Sequence, residues 1–518
     1  MLEEKPDLSK SLTQKIGVIL GPILFFGILL LFDFDPDNPV VTRMAAVAAL
    51  MAVWWITDAI PLFATALIPL VLYPLLGILK GSAVAPLYVN STIFLFIGGF
   101  MIALTMEKWR LHKRIALFII RSIGGGPARI VLGFMIAAAF LSMWISNTAT
   151  AIMMVPIGLA IVYQMEEKFE ASDTHNFTVG LMLGIAYACS MGGIATLVGT
   201  PPNLSFARIF EITFPGAPAI TFGSWFIMAL PISIFMIAII WLLLTKVLFP
   251  VPSRIKVEKT IVDQEYHSLG HMSFEEKAVL LIFSLTAVLW VFRNQLVVGF
   301  VTIPGWSQLL PYPDLIDDGS VALFMAMLLF LIPTRSKGAK TATLMGARVV
   351  MRLPWNIVLL FGGGFALAKG FQVTGLSTLI GNEFAGLAGM SPIIMVLFVC
   401  FGLTFLTELT SNTATTEMIL PILASVGFAM QTNPLILMIP ATLSASCAFM
   451  MPVATPPNAI VFGSGRVKIS EMAKAGLLIN LIGILVITIY FYTIGADLMG
   501  IDLSVFPEWA KSMGVPIK

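Results

Sequence analysis

The chain has 518 residues, of which 58% are hydrophobic and only 11% charged, and its formal net charge is +2. A soluble domain carries about 25% charged residues, so a water-covered globular fold is excluded and most of the surroundings are lipid. The net charge identifies no partner, no nucleic acid is expected, and the three cysteines (Cys189, Cys400, Cys447) sit in apolar or small-residue stretches that give no disulfide framework.

Apolar runs of roughly 20 residues, the length that crosses a bilayer core as a helix, recur along the chain. A β-barrel would show short alternating segments instead. The N-terminal "MLEEKPDLSKSLTQK" is mixed in charge, and no small-residue cleavage site follows the first apolar run, so that run reads as a retained helix. In chain order, spans are expected near 16–33, 42–60, 61–79, 91–107, 178–207, 222–248, 276–298, 320–333, 353–372, 435–462 and 471–495. Two further apolar regions, about 128–163 and 390–428, are each interrupted by "SNT" near the middle and read as hairpins that enter and leave the membrane on one side. Non-helical backbone at that depth is tolerated only where it is buried in protein or lines a wet cavity. The expected fold is therefore an all-α polytopic membrane protein with about eleven transmembrane helices and two re-entrant hairpins.

Charge placement supports this plan. With the N-terminus cytoplasmic, alternating spans and same-side hairpins, the C-terminus falls outside and most of the 30 Lys and Arg fall inside. Basic clusters occur at Lys108, Arg110, Lys113 and Arg114, at Arg254, Lys256 and Lys259, at Arg335, Lys337, Lys340, Arg348 and Arg352, and at Arg466, Lys468 and Lys474. The other side receives the acidic "DFDPDN" and "DLIDDG", which is the positive-inside bias. The segment 249–275 is a polar linker between two halves that cross the membrane in opposite senses. Inverted repeats with interrupted helices at matching positions are the construction of secondary transporters.

The motifs repeat with the halves. "SNTATAIMMVP" runs from Ser146 to Pro156 and "SNTATTEMILP" from Ser411 to Pro421. Each is followed by a second word, "GGIATLVGTPPN" ending at Asn203 and "CAFMMPVATPPN" ending at Asn458. Two adjacent prolines prevent a continuous helix, and Gly192, Gly193 and Gly199 loosen the first break further. A broken helix presents carbonyls at one stump and N–H groups with a partial positive charge at the other. Carbonyls, Ser, Thr and Asn suit sodium, a hard cation that wants oxygen ligands. Hydroxyls, amides and helix N-termini suit a carboxylate without a fixed Arg or Lys. Two equivalent half-sites facing one cavity would hold the two carboxylates of one small molecule. The plainer reading is that Ser, Thr and Asn are ordinary N-caps and Pro an ordinary first helical residue. The pairing across inverted halves at membrane depth favours a binding site, since intramembrane polar groups are usually functional.

Other residues are less specific. Glu408 and Glu417 flank the second SNT, where the first half has Met143 and Ile152. Each is either a proton-coupling acid or a carboxylate capped by neighbouring N–H groups. His267 and His271 lie in the polar linker and read as solvated. The "GGGP" at 124–127 and "GGGF" at 362–365 serve turns or close packing. "MEKWRLHKR" (Met106 to Arg114) and "TRSKGAKTATLMGARVVMR" are candidate arms along the inner surface, or simply satisfy the positive-inside rule. No HExxH, no GxSxG and no paired intramembrane Asp is present, so an enzyme is not expected.

Twin SNT motifs on two hairpins, each followed by a T-P-P-N break, resemble the divalent anion:sodium symporter (DASS) family, which includes the INDY-type di- and tricarboxylate transporters. The resemblance covers essentially the whole chain. It implies a homodimeric elevator transporter in the cell (inner) membrane, coupling Na+ to C4 dicarboxylates such as succinate, fumarate and malate. A sodium-independent dicarboxylate exchanger, or a carrier of citrate or sulfate, is the alternative within the family. The implied division is a scaffold part at 1–121 and 276–372, a transport part at 122–250 and 373–518, and a cytoplasmic linker at 251–275. By motif position the first sodium site resembles Ser142, Ser146, Asn147 and Gly199, and the second Thr407, Thr410, Asn412 and Ala454. Thr410 stands where a smaller residue is often found, and its backbone carbonyl would serve equally. The substrate-binding residues implied are Asn147, Thr148, Thr200, Ser411, Asn412, Thr413, Thr455 and Pro456.

Overall fold

The computed structural model describes residues 10–123, 125–251, 260–298, 301–336, 338, 341–384, 386 and 390–512. Arg254, Lys256, Lys259, Lys337, Lys340 and Gly124 lie outside the described residues, as does the early part of the linker.

Helix α1 (Leu12–Leu31) starts at a capping box between Ser11 and Gln14 and leans on α2 (Val40–Thr57). Short helices α3 (Leu62–Thr65), α4 (Ile68–Leu75) and α5 (Gly81–Val84) pass through a 3-10 turn at Ala85–Tyr88 into α6 (Ser91–Lys108), whose N-terminus is capped by Asn90. The amphipathic α7 (Leu111–Ile123) follows. Helices α8 (Pro127–Ser142) and α9 (Asn147–Glu166) form the first hairpin, and α10 (Ala171–Gly193) and α11 (Pro201–Thr213) the first broken helix. Helix α12 (Phe222–Leu242) ends in a π-helical turn at Leu243–Leu248.

In the second half, α13 (Thr260–Ser268) occupies the linker and α14 (Phe274–Val291) starts at a Ser273–Glu276 capping box. Strands β1 (Leu296–Val298) and β2 (Val301–Ile303) pair antiparallel, with Leu296 opposite Ile303. Then come α15 (Asp318–Leu331), a 3-10 segment at Ala347–Arg352, α16 (Trp355–Thr374) and α17 (Leu376–Phe384). The second hairpin is α18 (Pro392–Thr407) with α19 (Asn412–Ala429), and the second broken helix α20 (Leu435–Ala445) with α21 (Pro456–Gly463). Helices α22 (Ile469–Tyr490) and α23 (Ala496–Leu498) follow, and a 3-10 turn at Glu508–Ser512 is the last described element.

Packing repeats with the sequence. Helix α8 lies along α10 in the first half, and α18 along α20 in the second. The halves also cross, because α9 packs on α21 and α19 on α11, so each hairpin leans on the other half's broken helix. The outward faces are apolar and exposed, as at Ile19, Phe26, Leu30, Phe235, Phe324, Phe398 and Leu485. Apolar surface on this scale is stable only against lipid.

The structure revises the expected spans. Among the described residues, seven helices are long and apolar enough to cross a bilayer, and five further apolar helices are shorter. The run at 61–79 is two helices, α3 and α4, rather than one. The expected span 276–298 stops at Val291 and the chain runs on into the β1–β2 ribbon, the one sheet among the described residues. One of the seven long helices is α9, the second arm of the first hairpin.

Charge placement is also resolved into contacts. Arg114 is buried, with its Nε donating to Glu276 Oε1 at 2.7 Å and its other nitrogens donating to the Leu269 and Gly270 carbonyls. Lys113–Glu265 and Arg121–Asp263 pairs hold α13 to α7, so part of the polar linker is a docked helix. On the other arm Arg352 pairs with Glu107, and the Arg335 and Ser336 N–H groups donate to Glu275.

Candidate functional site

The first hairpin tip is shaped by its polar word. Helix α8 ends at Ser142, and Ser146 caps α9 by accepting from Ala149 N at 3.2 Å. Asn147 and Thr148 are the first two helical residues, so their N–H groups have no intrahelical acceptor. Ser142 Oγ donates to Asn147 Oδ1 at 2.5 Å, which orients the amide. Thr196 Oγ1 donates to Met143 O at 2.6 Å and ties the tip to the break.

The break runs from Ile194 to Thr200. Its freed carbonyls are gathered by Asn203, whose Nδ2 lies 3.3, 3.2 and 2.7 Å from the oxygens of Gly193, Ile194 and Thr196. Trp225 Nε1 donates to Ile194 O as well. Gly193 and Gly199 approach too closely for any side chain. A β-carbon on Gly199 would sit 2.5 Å from Gly193 O, and one on Gly193 would sit 3.0 Å from Asn147 Oδ1 and 3.1 Å from Gly199 O. Oxygens from tip and break therefore converge on one spot, an arrangement that fits a hard cation.

The second tip repeats the pattern with different chemistry behind it. Ser411 caps α19, and Thr407 Oγ1 lies 2.6 Å from Asn412 Oδ1 and 2.9 Å from Ala445 O. Thr410 Oγ1 is engaged by Leu406 O at 2.8 Å and Thr415 Oγ1 at 2.7 Å, which leaves its carbonyl as the group it can offer. Asn458 Nδ2 donates to Ala448 O and Met451 O at 3.0 and 3.1 Å, matching Asn203. Glu408 accepts from Phe449 N, Met450 N and Met451 N at 2.7, 2.9 and 3.0 Å, and from Asn480 Nδ2 at 2.7 Å. It is the capped carboxylate of the two alternatives the sequence left open.

Both tips and both breaks open onto one cavity of about 670 Å³. Ser146, Asn147, Thr148, Gly199 and Thr200 line it from the first half. Thr410, Ser411, Asn412, Thr413, Ala454, Thr455 and Pro456 line it from the second. Ser142 and Thr407 are not in the cavity lining and lie hydrogen-bonded to Asn147 and Asn412. The first residues of α9, α11, α19 and α21 all reach the cavity, and the two hairpin-tip N-termini, α9 and α19, bring free N–H groups with partial positive charge there. Among the described residues its lining includes no Lys or Arg, and Asp58 is the one charged lining residue.

The breaks differ from the sequence expectation in one respect. The prolines of each T-P-P-N are not unwound, because Pro201–Pro202 and Pro456–Pro457 start helices α11 and α21 and the open backbone lies just before them. Proline has no N–H, so these two stumps offer no amide protons at their first positions. The free N–H groups are those at the hairpin tips, and the breaks offer carbonyls and the Thr200 and Thr455 side chains.

Sequence reasoning missed Ser190 and Ser446. Both line the cavity, both are buried, and neither hydroxyl has a protein partner. Their only sequence signal is a small polar residue shortly before each break. Asn356 and Asp58, on the facing wall, carried no motif at all.

Over residues 19–501 the chain matches the family described as sodium:sulfate symporter transmembrane region. It is 40% identical over 507 residues to the sodium-dependent dicarboxylate transporter SdcS of Staphylococcus saprophyticus, covering 97% of this chain and 95% of that protein. It is 43% identical over 497 residues to SdcS of Staphylococcus aureus, covering 95% and 93%. Two solved structures share the fold at low sequence identity. They are Neisseria gonorrhoeae MtrF (TM-score 0.57, 13% identity, 93% of this chain and 99% of that one) and the Alcanivorax borkumensis YdaH transporter (TM-score 0.53, 12% identity, 92% and 99%). A match across nearly the whole chain, with near-full-length relatives above 40% identity, places it with the proteins its twin motifs resemble: the chain belongs to the sodium:sulfate symporter (DASS) family.

Proposed function

We propose that the chain is a sodium-coupled symporter of C4 dicarboxylates, working as a homodimer in the cell membrane by an elevator movement. The observation that carries this reading is the single cavity with two SNT tips, two T-P-P-N breaks and no fixed cation. The names of the staphylococcal relatives supply the substrate class and the sodium dependence.

The chemistry follows from charge balance. One sodium is held at the first tip by Ser142, Ser146, Asn147 and the Gly199 carbonyl. A second is held at the other tip by Thr407, Thr410, Asn412 and Ala454. The substrate's carboxylates are held by Asn147, Thr148 and Thr200 on one side and Ser411, Asn412, Thr413, Thr455 and Pro456 on the other. Partial dipoles alone hold a dianion weakly, and two sodium ions neutralise it. A neutral loaded cavity crosses an apolar seam at far lower cost than a charged one. Sodium therefore precedes substrate, and loss of sodium releases it without a fixed Arg to overcome.

In this reading the helices fall into a scaffold of α1–α7 and α14–α16 and a transport part of α8–α12 and α17–α23. Eleven crossings and two re-entrant hairpins place the N-terminus in the cytoplasm and the C-terminus outside. The length of α9 requires it to tilt within one leaflet or extend beyond the membrane.

The test is uptake of radiolabelled succinate into proteoliposomes with sodium or potassium outside, competed by fumarate, malate, citrate, sulfate and α-ketoglutarate. Saturable, sodium-dependent uptake inhibited by fumarate and malate supports the proposal. Equal uptake in both salts identifies an exchanger. Competition by sulfate or citrate rather than C4 acids reassigns the substrate.

A further inference from the structure

The two glutamates that flank the second tip differ sharply in their surroundings. Glu408 receives four N–H donors, which occupy both of its carboxylate oxygens. Glu417, on α19, is fully buried and receives one donor, the Ser205 hydroxyl at 3.0 Å from Oε1. Its Oε2 is buried without a hydrogen-bond partner.

The space around Glu417 is defined by α16. A β-carbon on Gly364 would lie 2.5 Å from Glu417 Cδ and 2.6 Å from Oε2, so only glycine lets the carboxyl pack against that helix. The neighbouring glycines serve other contacts, Gly362 against Tyr88 and Gly363 against Ala66. Among the described residues, no cation forms an ion pair with the carboxyl from the helices around α19. On α11, Arg208 pairs with Glu211. On α16, Lys369 bonds Gln372. On α2, Arg43 bonds Leu76 O. Glu383 on α17 is exposed, α18 offers Cys400 among Ser444 and Thr488, and α20 carries no titratable residue. Tyr88 donates its hydroxyl to Ala66 O at 2.5 Å.

We infer that Glu417 binds a proton on Oε2 at the seam between α19 and α16, and that this proton is required for the two helices to pack as they do here. An ionised carboxylate buried with one hydrogen bond and no counter-charge is strongly disfavoured. One carboxylate and one hydroxyl are too few oxygens for sodium, whereas a proton needs a single acceptor. The step is the simple association of a proton from water with the carboxylate, and its release when Glu417 is again exposed. In the transport reading, on which this consequence rests, α19 belongs to the moving part and α16 to the scaffold. Protonation then lets Glu417 slide along α16, and a rise in pH slows the cycle.

Infrared spectroscopy of the full-length protein in liposomes tests the site without reference to transport. The wild-type spectrum is expected to contain a protonated-carboxyl C=O stretch that disappears in E417Q. Should E417Q not fold, S205A, which removes the hydrogen bond to Oε1, is expected to shift the same band. Spectra identical in this region for wild type and the folded variant overturn the inference. Uptake then tests the coupling, with succinate dianion held at constant concentration as pH is varied. Wild-type initial rates are expected to fall about tenfold for each pH unit above the titration midpoint, and the profile of E417Q to be flat. An E417Q profile that falls as steeply as wild type overturns the coupling. Failure of the wild type to take up succinate at any pH rejects the transport reading and leaves the infrared result standing.

Discussion

Replacing Asn412 by Ala isolates the contribution of one tip. The side chain does two things in the proposed site, with Oδ1 facing sodium and Nδ2 facing a substrate carboxylate. The structural cost is small, because Thr407 Oγ1 loses its 2.6 Å contact with Oδ1 but keeps Ala445 O at 2.9 Å. A net hydrogen bond of this kind is worth about 1 kcal/mol. Loss of one hydrogen bond to a charged ligand is worth about 1.5–3 kcal/mol, and 1.4 kcal/mol is tenfold. Succinate affinity should therefore drop about 10- to 100-fold from the amide alone, with weaker sodium binding lowering it further. Equilibrium binding of radiolabelled succinate at several sodium concentrations, beside a thermal melt of the same sample, separates the effects. The expected result is a melting curve close to wild type with succinate affinity at least about tenfold weaker, and uptake by the same variant is expected to be abolished. Wild-type succinate and sodium affinities in folded N412A would remove Asn412 from the site and refute the reasoning.

Other substitutions probe the supports of the cavity. Gly199→Ala would force a β-carbon to within 2.5 Å of Gly193 O, so sodium binding is expected to weaken at least tenfold, as read by sodium-dependent thermal stabilisation. Glu408→Gln places an amide group against the Phe449–Met451 N–H cluster and leaves buried donors unpaired, at about 1–3 kcal/mol each. Its thermal midpoint should fall, and succinate binding with it, because the break is no longer held. Arg114→Ala strands the buried Glu276 in the first turn of α14 and should destabilise by about 3 kcal/mol. The double replacement of Arg114 and Glu276 by apolar residues should recover much of that loss in the same melt.

The sequence made the twin words visible because lipid leaves few polar residues in the spans, so a repeated polar word stands out. It also located the interruptions, since paired prolines after Thr200 and Thr455 admit no continuous helix. What it could not supply were partners distant in the chain. Glu408 becomes a cap only when Phe449–Met451, some 40 positions later, turn their N–H groups toward it. Asn203 and Asn458 end their motifs, yet the carbonyls they gather belong to residues seven to ten positions earlier in a backbone whose bend propensity alone does not define. The "GGGF" at 362–365 gave no sign that three glycines admit three different neighbours, one of them Glu417. The split of 61–79 was masked by continuous hydrophobicity, which measures burial in lipid and not helix continuity, whereas the ribbon after Val291 was signalled by the polar Arg293, Asn294 and Gln295, which the expected span 276–298 ran through.

The central claim is that one cavity holds a dicarboxylate by means of sodium and helix dipoles, with no fixed positive charge. The most direct measurement is equilibrium binding of radiolabelled succinate to purified wild-type protein in sodium and in potassium at equal ionic strength. The account predicts saturable binding in sodium, lost in potassium and lost in both N147A and N412A. Undiminished binding in potassium would contradict it.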